Sequence, residues 1–171
     1  RLPVGYHSLT VECERGRFQA EVFRAREKCF QAPAGSRSWG VFAPLYGLRS
    51  ERGWGAGNFA DLSKFLAWVG ERGGRFAGTL PLLPAFLDQP CEPSPYSPVS
   101  RLFWNEFYLD LDRVPELASC AAARRLLADA TFQGRLRELR EASWVDYGAE
   151  MALKREALAR LSRWFFSRPS S

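Results

Sequence analysis

Two short apolar runs on either side of an amphipathic helical pattern constrain this chain more than any other feature. Trp39 to Leu45 reads WGVFAPL and Phe76 to Leu83 reads FAGTLPLL, with almost no polar residue in either. Between them, FADLSKFLAWVGERGG places Leu62, Phe65, Leu66 and Val69 at i, i+3, i+4 and i+7, one apolar stripe along a helix. Asn58 stands where an N-cap belongs, and Asp61 falls near the positive end of the helix. Gly73 and Gly74 stop it. Strand, helix and strand at this spacing predict a βαβ unit with a parallel pair and a right-handed crossover. Strands this apolar belong to a sheet covered on both faces.

The flanks differ in character. HSLTVE and GRFQAEVFR surround a turn at Glu14, Arg15 and Gly16. Phe18, Ala20 and Val22 alternate with Arg17, Gln19 and Glu21, which predicts a hairpin with one buried face. A lone hairpin is marginal in water, so it reads as the last edge of a β domain. Gln31 to Ser38, QAPAGSRS, reads as a linker. The last third is helical. PELASCAAARRLLADA begins with Pro115 in a first-turn position, and TFQGRLRELREAS follows. Asp146 is placed to cap a final helix whose Leu153, Ala157, Leu161, Trp164 and Phe165 share a face.

Composition narrows the class. At 171 residues and 46% hydrophobic content the chain reads as globular, one domain or parts of two. No apolar run approaches the roughly 18 residues that span a membrane. The start has neither an initiator Met nor a signal-peptide pattern, and the end trails off after a helical run, so a piece of a longer protein is expected. The net charge of +5 comes from Arg and Lys spread along the helical half, a weak footprint for nucleic acid. Cys13, Cys29, Cys91 and Cys120 form no close ligand pair, so they read as free cytosolic thiols and not as a metal centre.

Chemistry in such a sheet sits in the loops beyond the carboxyl ends of the strands. The first loop, Tyr46 to Gly57, carries Trp54 within RGWGAG, a candidate substrate-binding aromatic. The second, Pro84 to Ser100, holds Asp88, Gln89, Ser94, Tyr96 and Ser97. Pro93, Pro95 and Pro98 keep it extended and pre-order Tyr96. An ordered ring beside hydroxyls suits a sugar, and the same platform could stack a base. The glycines at 53, 55 and 57 lack the dinucleotide spacing and fit a tight turn into a helix. Trp68 and Trp164 are expected in the core, with Trp104 and Phe107 also read as core residues. No spacing pairs two of the nearby acids as glycoside chemistry requires, and His7 sits on the hairpin, away from these loops.

The stretch from Trp39 to about Leu117, and above all SPYSPVSRLFWNEFYLDL, closely resembles the start of the catalytic barrel of the 4-α-glucanotransferases of glycoside hydrolase family 77. VDYGAEMALKREAL resembles the family's next helical block, and LPVGYHSLTVE the end of the β domain before the barrel in longer members. The resemblance implies an α/β chain that begins a (β/α)₈ TIM barrel. Residues 1–31 would end the N-terminal β domain, 32–38 would link, 39–113 would start the barrel and 114–171 would form a helical insertion. It implies retaining transfer of α-1,4-glucan segments, a cytoplasmic enzyme, and no metal or organic cofactor. Ser94 and Tyr96 match cleft-lining positions; Asn105 matches a recurring Asn that braces the next segment, with Asp110 in the same bracing role. The family's acids come from later barrel strands, so the catalytic set here is empty and the isolated chain is expected to be inactive. An open two-strand sheet exposes apolar edges and faces, so poor solubility or a molten character is expected as well. One departure stands out: many members carry GIGD in the first loop, where this chain has GAGN, with Asn58 in place of Asp.

The expected partners are therefore α-1,4-glucans and maltooligosaccharides and the remainder of the barrel, with no nucleic acid and no membrane. A glucan-binding fragment without catalysis is the alternative. A basic nucleic-acid-binding domain ranks behind it.

Overall fold

The computed structural model describes residues 2–88 and 90–167; Gln89 and the last residues of the chain lie outside them. The chain divides after Arg37 into two units.

In the first unit, β1 (Gly5–Cys13) and β2 (Gly16–Arg24) pair antiparallel around Glu14 and Arg15. Gly16 turns the chain at φ 129°, a region that favours glycine. The register sets Leu9 against Ala20 and Val11 against Phe18 on one face, and Tyr6 against Phe23 on the other. The face expected to be buried is open: Phe18 is 56% exposed. A two-stranded ribbon carries no second layer of its own to cover it.

The second unit holds the βαβ element. β3 (Gly40–Phe42) and β4 (Phe76–Gly78) pair in parallel, with Val41 opposite Ala77, and α1 (Phe59–Glu71) lies between them in sequence. The strands are shorter than the apolar runs. The Ala43 amide still donates to the Gly78 carbonyl, but Pro44 has no N–H to continue the ladder. The Leu45 amide then turns to Thr79 Oγ1 at 3.0 Å.

The helix has the ends its sequence calls for. Asn58 Oδ1 accepts from the amides of Ala60 and Asp61, and Asp61 Oδ2 accepts from the Asn58 amide, a reciprocal capping box. At the far end the Gly73 amide donates to the Gly70 carbonyl and Gly74 to that of Val69, with Gly73 at φ 80°. The apolar stripe is only half covered: Val69 is buried, Leu66 is exposed. Trp68, expected in the core, is 44% exposed. Arg72 lies over its ring at 4.4 Å and Phe65 stacks beside it. Two short strands offer too little surface to cover the whole stripe.

The rest is a helical layer of α2 (Ala121–Leu127), α3 (Ala130–Glu141) and α4 (Tyr147–Phe166). The stretch read as one helix from Pro115 breaks. A 3₁₀ turn spans Pro115–Ala118, and Cys120 is extended and fully buried, with its thiol toward the Arg160 carbonyl of α4. Packing at Cys120 overrides the local helical preference. Asp129 and Asp146 cap α3 and α4 through their side chains. Leu153, Ala157 and Leu161 of α4 form the core with Cys120, Ala123, Phe132 and Leu136; Trp164 packs at its margin. Phe165, assigned to the same face, is half exposed at the end of the stripe.

Candidate functional site

The first βα loop is a docking element. A 3₁₀ turn at Leu45–Gly47 opens it. Arg49 then reaches the end of α3, donating to the carbonyls of Ala142 at 2.8 Å and Arg140 at 2.7 Å. In return Arg140 Nε donates to the Gly53 carbonyl at 2.8 Å. Cations on the last carbonyls of a helix satisfy groups that have no partner within it. Gly55 lies at φ 142°, and a Cβ there would stand 2.8 Å from Glu150 Oε2. A Cβ on Gly57 would fall 2.2 Å from the Leu45 carbonyl oxygen. The glycines serve this close approach.

Trp54 takes a different place from the one its loop position suggested. It is 5% exposed and inserts into the helical core, where Phe132 meets its ring edge to face at 5.6 Å. Its ring is enclosed in that core and not open to the loop surface. The apolar pocket between α3 and α4 outweighs solvent as its environment.

The second loop is pinned at two levels and open at its tip. The Glu92 amide donates to the Phe86 carbonyl at 2.6 Å, and the Val99 amide to that of Pro84 at 2.8 Å. Inside this frame Ser94 Oγ accepts from the Tyr96 amide at 3.4 Å, and Glu92 Oε1 from the Ser94 amide at 3.2 Å. Tyr96 is 72% exposed. Just beyond, Phe103 and Trp104 are also open to solvent, and the edge of Trp104 faces Phe59. Trp104 is therefore not a core residue, whereas Phe107 is fully buried.

Asn105 is buried beneath this surface. Its Oδ1 accepts from the Phe107 amide at 3.0 Å, and its own amide donates to the Leu82 carbonyl at 2.9 Å. Asp110 repeats the pattern one turn later, accepting from the Asp112 amide at 3.2 Å and pairing with Arg113 at 3.4 Å. Of the acids near the loops, Asp88 and Glu106 both face Arg155 of α4.

The sequence reading missed a buried ion pair. Glu150 and Lys154, one turn apart on α4, are 0% and 1% exposed, with Lys154 Nζ 2.9 Å from Glu150 Oε1. Glu150 Oε2 accepts from the Ala56 amide at 2.7 Å, and Lys154 donates to the Phe107 carbonyl while lying over the Phe107 ring. Burial pushes the Glu150 carboxyl up, a shift only partly offset by Lys154, the Ala56 amide and Arg49. Tyr108 and Tyr147 crowd the same region. Burial, with Tyr46 and Glu150 adding to it, pushes Tyr108 up to about 12, and burial raises Tyr147 as well. One signal was available: Glu150 and Lys154 share a helix face with Tyr147, Met151 and Leu158, so charge stood inside an apolar stripe. Among the described residues no group of three His, Cys, Asp or Glu is placed to hold a metal ion.

Comparison with known proteins decides the family. The family model described as 4-alpha-glucanotransferase matches residues 43–170. The chain belongs to the 4-alpha-glucanotransferase family. A 4-alpha-glucanotransferase of Haemophilus influenzae is 34% identical over 96% of this chain and 24% of its own length. One of Mycobacterium tuberculosis is 32% identical over 95% of this chain and 23% of its own length. The crystal structure of amylomaltase from Corynebacterium glutamicum superposes with a TM-score of 0.78 at 27% identity, covering 99% of this chain and 24% of that one. The chain thus spans about a quarter of the length of the relatives it matches.

Proposed function

We propose that this chain is the opening segment of the (β/α)₈ barrel of a 4-α-glucanotransferase, with residues 1–31 closing a preceding β domain, 32–38 linking, 39–113 starting the barrel and 114–171 forming a helical insertion. It supplies one wall of a cleft for α-1,4-glucans. Tyr96 stacks a glucose ring, Ser94 lines the cleft beside it and holds the backbone of Tyr96, and Asn105 and Asp110 brace the segment beneath. Trp54 is left out of the binding set because its ring is enclosed. The whole protein moves glucan segments between maltooligosaccharides with retention, one carboxylate acting as nucleophile and a second as acid/base. Those acids belong to later barrel strands, so this segment alone is inactive. The reaction calls on no metal or organic cofactor, and the free thiols of Cys13, Cys29, Cys91 and Cys120 suit the cytoplasm.

The observation that carries this reading is Tyr96, 72% exposed at the tip of a loop held by two backbone hydrogen bonds at its base. A ring open in the loop beyond the carboxyl ends of parallel strands stands where ligands of such sheets bind. The test is disproportionation of maltotriose by the full-length protein and by the 171-residue chain. Redistribution into shorter and longer maltooligosaccharides by the full-length protein alone is expected. No redistribution by the full-length protein overturns the reading.

A further inference from the structure

We infer that Glu150 and Lys154 are positioning residues that cross-brace the first βα loop and the segment that follows the second, fixing the cleft wall from behind. The inference rests on the glucan-cleft reading above. The first loop and the segment after the second are joined to each other through this pair. Glu150 holds the first loop by its Ala56 amide, and Lys154 holds the segment after the second loop by the Phe107 carbonyl. The ion pair between them, at 2.9 Å, closes the link. Gly55 is part of the same device, since a side chain there would displace the Glu150 carboxylate.

Stability alone gives a poor account of the pair. Desolvating two charges is costly, and apolar residues of like volume often serve a core as well or better. What apolar residues cannot do is hold an amide of the first loop and a carbonyl of the segment after the second. The Asn105–Leu82 bond continues the link from Phe107 to the residues just before the Tyr96 loop. A loss of register of about 1 Å at a binding wall can cost up to about 100-fold in rate. The brace therefore acts on how tightly the acceptor sugar is held, through the loops and not by touching it.

Two double variants separate the ties. Glu150→Leu with Lys154→Met removes both and keeps the volume. Glu150→Gln with Lys154→Met keeps an oxygen for the Ala56 amide and removes only the second tie. Amide exchange is followed at Ala56 for the first loop and at Tyr108 and Leu109 for the segment after the second. The relief of two desolvated charges offsets the two backbone groups left unpaired. The first variant is therefore expected to melt within a few degrees of the parent, with exchange faster by about tenfold or more at all three amides. In the full-length enzyme its KM for maltooligosaccharide acceptors rises by about tenfold, with kcat within about twofold. The second variant is expected to keep Ala56 protected, loosen Tyr108 and Leu109, and recover part of the KM. Unchanged exchange at Ala56 in the first variant, or the same loosening there in both, overturns the brace. If the first variant does not fold, the second still decides, because loss of Ala56 protection in it has the same meaning. A full-length parent without transfer activity strikes at the glucan reading and leaves the exchange data to judge the brace.

Discussion

The indole of Trp54 meets the ring of Phe132 edge to face, with centroids 5.6 Å apart. One residue comes from the loop after the first strand of the parallel pair and the other from α3, so the helical layer is pinned to the βαβ unit by a buried aromatic pair. Removing the indole leaves a cavity that the surrounding helices fill only in part. Trp54→Ala is expected to cost about 3–5 kcal/mol. Chemical denaturation of the full-length protein checks it, and a loss under about 1 kcal/mol contradicts the packing role.

Gly57 tests the same junction from the backbone side. A Cβ there would lie 2.2 Å from the Leu45 carbonyl oxygen and 2.5 Å from that of Leu48. Neither neighbour is a flexible side-chain end, so Gly57→Ala must push the loop away from the strand end. A cost of about 2 kcal/mol or more is expected, read from the same denaturation curves. A variant as stable as the parent would show that the loop has room to spare.

Tyr96 is the converse case. Its ring is 72% exposed, and its backbone amide is held by Ser94 Oγ. Tyr96→Ala should leave stability within about 0.5 kcal/mol, as surface substitutions do. In the full-length enzyme it should raise the KM for maltooligosaccharide acceptors. Identical transfer kinetics across acceptor lengths would remove Tyr96 from the binding wall.

Alkaline titration probes the buried cluster. Tyr108 and Tyr147 are both raised above the ordinary phenol value of 10.0, Tyr108 to about 12. The folded chain then holds these protons more tightly than the unfolded chain. Their contribution to stability is complete below pH 10 and is lost as pH rises through about 12. The melting temperature should fall steeply over that range, and less steeply in Tyr108→Phe. A phenolate absorbance titration should show two of the five tyrosines ionising late. An equal slope in both proteins would refute the assignment.

Elements with local causes were legible in the sequence. The hairpin followed from alternation, and α1 from a stripe bounded by Asn58 and paired glycines. The cap of α4 followed from Asp146. Asn58 makes the cap itself, because its amide oxygen accepts from the amides of Ala60 and Asp61. The candidate site divided along the same line. Tyr96 stands open because three prolines and short local hydrogen bonds hold its loop. Trp54 was misplaced because its environment is supplied by Phe132, 78 residues away in the chain. Trp68 and Trp104 failed in the other direction: an apolar side chain is buried only where another layer covers it.

The amino-acid sequence by itself determined the order of strands and helices, their caps, and the family that the chain belongs to, because each is written in residues close to one another along the chain. The tertiary structure alone decided which aromatics face solvent, where the helical stretch after Pro115 breaks, and that Glu150 and Lys154 meet two loops at once. These depend on the low-dielectric contacts between distant segments, where the environment of a side chain, and not its type, sets whether it packs, pairs or stays open.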